Sequence, residues 1–219
     1  MDIENTRFNM IEQQIRTWDV LNPVILDLLH QVKREDFVPP TARGMAFVDM
    51  EIPLGHGQAM MAPKVEARIV QDLLLKADDH VLEIGTGSGY LAALLSRLAE
   101  KVTSIEMYED FSRTAAASLA RAGIVNVHLK VGDAARSPVA FTGQERFDAI
   151  VLTGSVPELP EAFLDALHPG GRLFAVVGDE PVMQATLYTK TPAAITTRVM
   201  FETVLTPLVN AAQPSRFVF

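Results

Sequence analysis

From Val65 to about residue 178 the chain alternates short apolar runs with segments of helical period, and this alternation limits the fold more than any other feature. The pattern predicts helices at Val65–Leu75, Tyr90–Ala99, Tyr108–Ala122 and Glu161–Leu167. It predicts strands at His80–Ile84, Lys101–Ile105, Val127–Val131, Phe147–Thr153 and Arg172–Val177. Strands separated by helices pair in parallel, and right-handed crossovers place the helices on both faces of the sheet. The expected class is α/β, with a doubly wound, mostly parallel sheet.

The flanks read differently. Residues 1–64 carry helices at Asn9–Arg16 and Pro23–Val32. An irregular stretch follows, broken by Pro39, Pro40, Gly44, Pro53, Gly55, Gly57 and Pro63. After residue 180, Ala185–Lys190 and Thr197–Leu208 are rich in Thr, Val, Phe and Leu, which suits antiparallel strands closing the sheet edge and brings the strand count to seven. The tail is polar from Asn210 to a final Phe217-Val218-Phe219. The expected organisation is an N-terminal helical and lid extension (1–64), a ligand-binding core (65–180), and C-terminal strands (181–219) completing the same domain. A chain of 219 residues suits one such domain.

Charge and composition narrow the function. There are 27 acidic and 19 basic residues, a formal net charge of −8, so the cationic surface that tracks phosphate backbones is lacking and no nucleic-acid partner is expected. With no cysteine, disulfides and thiolate chemistry are impossible. The five histidines show no metal-ligand spacing, so no metal is expected. The polar start Met1-Asp2-Ile3-Glu4-Asn5 does not resemble a signal peptide, and no apolar run approaches the ~20 residues of a membrane span. A soluble cytoplasmic protein without a membrane partner is expected. The sequence assigns no oligomeric state.

The chemistry concentrates at strand ends. Gly85, Gly87 and Gly89 alternate in the turn after the first core strand, where glycines permit tight geometry and close approach of a ligand. The spacing is G-x-G-x-G rather than the G-x-G-x-x-G of dinucleotide loops, with Glu83 just upstream. A carboxylate there repels phosphate and suits a cationic amine. S-adenosylmethionine carries an ammonium, a sulfonium and a carboxylate, and no phosphate. Glu106 ends the second strand, where an acid accepts from ribose hydroxyls. Asp133 follows the third, where an acid can accept from an adenine amino group. The plain structural alternatives are a simple glycine-rich βα turn, a helix-dipole carboxylate for Glu106, and an N-cap or turn for Asp133. Three acids at three successive strand ends, where open α/β sheets bind ligands, form a more specific pattern than any one of them.

The run Glu83-x-Gly85-x-Gly87-x-Gly89, Glu106, Gly132-Asp133 and Leu167-His168-Pro169-Gly170-Gly171-Arg172-Leu173 resembles the successive motifs of class I S-adenosylmethionine-dependent methyltransferases, with their seven-stranded Rossmann-like sheet. A narrower resemblance is carried by Met10-Ile11-Glu12-Gln13-Gln14-Ile15-Arg16, by Val32-Lys33-Arg34-Glu35-Asp36-Phe37-Val38-Pro39, and by the block from Ala46 to Gln58. Phe147–Val151, Val156–Pro160 and Thr206-Pro207-Leu208 extend it. These resemble the protein-L-isoaspartate O-methyltransferases. The resemblance implies S-adenosyl-L-methionine as donor, S-adenosyl-L-homocysteine as product, and isoaspartyl-containing peptides or proteins as partners. It implies that Gly85, Thr86, Gly87 and Gly89 hold the donor's amino-acid end with Glu83 nearby. Glu106 would bind the ribose and Asp133 the adenine, with Met107 and Ala134 also among the cofactor-binding residues. Gln58, Ala59, Met60, Met61, Ala62 and Pro63 would form a lid on the substrate side.

One departure is specific. Where the family reads Thr-Ile-Ser-x-Pro, this chain has Ala59-Met60-Met61-Ala62-Pro63. The family's active-site serine position is Met61, so no catalytic residue is assigned. Likewise the family's Val-Pro-Leu-Thr reads Thr206-Pro207-Leu208-Val209. Methyl transfer to a carboxylate needs no general base, and catalysis is mainly alignment and exclusion of water. Losing a hydroxyl bonded to a charged group costs ~1.5–3 kcal/mol, or roughly 10- to 150-fold. The alternatives are a related methyltransferase with another acceptor, or a non-catalytic S-adenosylmethionine-binding interaction protein. His56 could face the ligand, Ser88 and Ser155 lack triad partners, and Trp18 reads as a packing residue.

Overall fold

The computed structural model describes residues 2–213, so the terminal Phe217-Val218-Phe219 lies outside the described residues. Helix α1 (Ile3–Met10) starts where Asp2 Oδ1 accepts from Asn5 N–H at 3.2 Å. It continues as a π turn over Ile11–Ile15 and a 3₁₀ turn over Arg16–Trp18, ending at Asp19 with φ +59°. The helix expected at Asn9–Arg16 is therefore the second half of a longer one, whose polar first turns gave no apolar period. Helix α2 (Pro23–Gln31) follows, capped by Asn22 with Pro23 pre-set at its first position.

The stretch expected to be irregular contains 3₁₀ turns and a hairpin of β1 (Ile52–Gly55) and β2 (Gln58–Met60). His56 and Gly57 form its two-residue turn with φ +52° and +71°, the positive pair that matches the twist of a hairpin. The breakers that argued against regular structure are the ones this tight turn needs.

The core follows as α3 (Pro63–Asp72), β3 (His80–Ile84), α4 (Tyr90–Ser96), β4 (Lys101–Glu106), α5 (Glu109–Arg121), β5 (Val127–Val131), the short α6 (Val139–Thr142), β6 (Phe147–Val156), α7 (Glu161–Asp165) and β7 (Leu167–Asp179). Strands β8 (Val182–Lys190) and β9 (Ile195–Glu202) complete it. The seven-stranded sheet has the order β5-β4-β3-β6-β7-β8-β9, parallel through β7 and antiparallel thereafter. Fold class and strand count agree with the sequence reading.

Most element boundaries shift by a few residues, and three differences are larger. Leu167 opens β7 opposite Phe147 instead of ending a helix, because the His168-Pro169-Gly170-Gly171 run forms an irregular extension of that strand. α6 was not expected. β9 stops at Glu202, and Thr203–Leu208 leaves the sheet edge to lie against the end of β6. There Ser155 N–H donates to Thr206 O at 3.1 Å and Leu208 N–H to Ser155 O at 2.9 Å. A side chain at Gly154 would meet Leu208 N and Thr206 O at 2.9 Å, so glycine permits this approach.

Two apolar layers flank the sheet. One joins Met10, Ile11, Ile15 and Leu29 to Ile69, Val81, Leu94 and Val102. The other packs Leu82, Ile150 and Leu173 against Phe163 and Leu167. Trp18 meets Phe201 edge-on at 5.8 Å with the Lys64 ammonium over its ring, which ties the N-terminal helix to β9.

Candidate active site

Parallel strands present their C-terminal ends to one side, and those of β3, β4, β5 and β6 open onto a cleft of about 680 Å³. Its floor is Gly85 and Gly87, Glu106 to Tyr108, Gly132 to Ala135, and Thr153. Its roof is Glu51, Leu54, Gln58, Ala59 and Met61 from the hairpin and its flanks, with Leu205, Thr206, Leu208 and Val209 from the C-terminal segment. A smaller compartment of about 290 Å³ adjoins it, lined by Met60, Glu66, Glu83, Thr86, Ser88 and Leu91, and sharing Gly85, Gly87 and Met61 with the first.

The Gly-rich turn is built as its spacing suggests. Gly85 has φ +96°, and a Cβ there would sit 2.3 Å from Thr153 Oγ1. Gly89 caps α4 at φ +83°, with a hypothetical Cβ 3.0 Å from that of Ala115. It lies outside the cleft lining and acts by letting α4 close on α5.

The three acids differ in environment. Glu83 is fully buried. Ser104 Oγ donates to its Oε2, while Thr86 and Ser104 share a bond of 2.6 Å. Its Oε1 has no partner among the described residues. Burial pushes its carboxyl up to about 8, against the Ser104 hydrogen bond, and the carboxylates of Glu106 and Glu66 add to the rise. Glu106 accepts from Gly87 N–H at 2.8 Å and from Tyr108 N–H at 3.0 Å, which locks the turn to the end of β4. Asp133 accepts from Ala135 N–H at 3.1 Å and from the Asn210 side-chain amide at 2.8 Å.

The lid is firmly seated. Met60 and Met61 are buried, and the buried Arg34 guanidinium donates to Met61 O at 2.7 Å while pairing with Glu66. Burial raises Glu66 to about 7 against the pull of that guanidinium. Of the expected lid residues, Gln58, Ala59 and Met61 reach the main cleft and Met60 the smaller compartment. Ala62 and Pro63 reach neither, because they cap and begin α3. Met107 and Ala134 line the cleft. His56 is not among the lining residues. It stacks on Tyr108 at 4.1 Å, and its Nε2 lies 3.0 Å from Asp110 Oδ2, which closes the hairpin tip onto the start of α5.

Sequence reasoning missed Tyr108, Phe111, Thr153 and Glu51. Thr153 could have been found as the residue at the fourth strand end. Tyr108 and Phe111 had no signal beyond their place next to Glu106.

An uncompensated carboxyl oxygen, a strand-end acid and a carboxylate already accepting from an NH₂ group make a set of hydrogen-bond acceptors. Such a set suits donors such as a cationic amine, hydroxyls and an amino group.

Residues 5–213 match the profile of the family described as Protein-L-isoaspartate(D-aspartate) O-methyltransferase (PCMT). The chain belongs to that family. It is similar to the Protein-L-isoaspartate O-methyltransferase of Methanoculleus marisnigri, with 36% identity over 204 residues covering 93% of this chain and 91% of the relative. The corresponding protein of Opitutus terrae is 39% identical over 174 residues, covering 80% of this chain and 73% of its own length. A family structure from Plasmodium falciparum, in complex with S-adenosyl-L-homocysteine, superposes with a TM-score of 0.78 at 19% identity, covering 95% of this chain and 98% of that one. It shows the shared fold. As a member of the isoaspartate methyltransferase family, the chain is a methyltransferase whose donor is S-adenosylmethionine.

Proposed function

We propose that this chain methylates the free α-carboxylate of L-isoaspartyl residues in damaged proteins, the first step of their repair. The observation that carries this reading is the family match over residues 5–213, which includes the N-terminal blocks and hairpin that roof the cleft.

Bound S-adenosylmethionine supplies an electrophilic methyl group. The protein's part is binding and alignment. Glu83, buried beside Gly85 and Gly87, pairs with the donor's ammonium. Glu106 takes the ribose hydroxyls and Asp133 the adenine amino group. Leu54, Met61, Leu205 and Leu208 keep the cleft apolar between donor and acceptor, which excludes water from an anionic nucleophile. Incubation with methyl-labelled donor and an isoaspartyl peptide tests the acceptor. An alkali-labile methyl ester is expected. No ester above background, with donor binding intact by calorimetry, refutes it.

A second reading, a related methyltransferase with another acceptor, is favoured by Met61, which fills space where the family places a serine. The same assay with non-peptide carboxylates separates the two.

A further inference from the structure

Among the described residues, the roof of the cleft carries one ionisable side chain, Glu51, just before β1. It shares that wall with Gln58, Ala59, Met61 and Thr206. Its Oε2 accepts from Thr206 Oγ1 at 3.3 Å. Among the described residues no Lys, Arg or His forms an ion pair with it. Glu106 and Asp133 face the same cleft from the strand ends, and both are acids. So an acceptor carboxylate entering here meets an unpaired glutamate where the family offers hydroxyls. With no protein cation beside them, two carboxylates at close range disfavour each other's ionisation and share a proton.

We infer that Glu51 is a substrate-binding residue of this enzyme, holding a proton between its own carboxyl and the isoaspartyl carboxylate and so replacing the hydroxyl lost at Met61. This rests on the isoaspartyl reading above. Burial already raises the Glu51 carboxyl above its usual range, against the Thr206 hydrogen bonds, and a second carboxylate raises it further. The balance closes without a base. The acceptor oxygen forms the C–O bond with its own lone pair, the methyl–sulfur bond breaks with its electrons passing to sulfur, and the proton stays on Glu51. Once the ester forms, the product is neutral and Glu51 is free to lose that proton, which weakens product binding.

The consequence is a pH signature. Below the pair's apparent pKa the proton is present and the acceptor binds; above it, two anions repel. Wild type should therefore lose kcat/KM for an isoaspartyl peptide as pH rises from 6 to 9. Glu51→Gln keeps a donor that does not titrate. It should flatten this fall and exceed wild type at pH 9, while Glu51→Ala falls at least about tenfold below wild type at pH 6. Calorimetry supplies a second readout. Binding of the peptide to the protein loaded with S-adenosylhomocysteine, compared in buffers of different ionisation enthalpy, should take up close to one proton in wild type and none in Glu51→Gln. Ester formation by wild type with Glu51→Gln as impaired as Glu51→Ala, or with no proton uptake, overturns the role of Glu51 and leaves the isoaspartyl reading standing. No ester from wild type at any pH overturns both.

Discussion

The Asn210 side-chain amide donates to Asp133 Oδ2 at 2.8 Å, pinning the C-terminal segment to the loop after β5. Arg136 Nε donates to Asn210 O at 2.9 Å and holds the same turn. An NH₂ group therefore already occupies the carboxylate assigned to the adenine amino group. Asn210 has φ +62°, so glycine is the replacement that removes the amide without backbone strain. Asn210→Gly should tighten S-adenosylhomocysteine about 2- to 10-fold, the value of one net hydrogen bond, by calorimetry. Weaker binding would mean that Asn210 helps to hold the ligand instead.

Glu83 makes folding pH-dependent. Its carboxyl rises from 4.5 to about 8 on burial, so between those values the folded chain keeps a proton that the unfolded chain has lost. Stability must then fall as pH rises through this window, by up to ~1.4 kcal/mol per pH unit for one proton, and level off above about 8. Glu66, raised to about 7, acts in the same direction. The melting temperature of the ligand-free protein should drop between pH 5.5 and 8.5, and Glu83→Gln should make that drop smaller. An unchanged slope in the variant would exclude Glu83 as its source.

The lid can be returned to the family pattern. Ala59→Thr with Met61→Ser restores both hydroxyls and opens space over the cleft. Removing the buried Met61 side chain should cost ~2–4 kcal/mol, read as a lower melting temperature. Activity on an isoaspartyl peptide should rise, and more at pH 9 than at pH 6, because the new donor keeps its proton where Glu51 does not. A fall at both pH values, in a variant that still binds the donor, would show that Met61 itself shapes the acceptor site.

What the sequence made legible follows from period and position. The parallel strands were readable because βαβ units write their order as alternating apolar runs, and the three acids because they fall at strand ends. The β1–β2 hairpin was not, since its strands are too short to show a period and its turn residues look like loop residues. The path of Thr203–Leu208 was equally hidden. It depends on contacts with Gly154 and Ser155, far away in the chain, and it brings Thr206 to Glu51. The roof of the cleft is assembled from these two segments, whereas its floor lies at the ends of the regular strands.

Donor binding to wild type, Glu106→Ala and Asp133→Ala tests the cradle most directly. Calorimetry with S-adenosylmethionine should show one site in wild type and a Kd raised about tenfold or more in each variant, the loss of a hydrogen bond to a charged group. Unchanged affinity in both variants would contradict the assignment of Glu106 and Asp133 to the methyl donor.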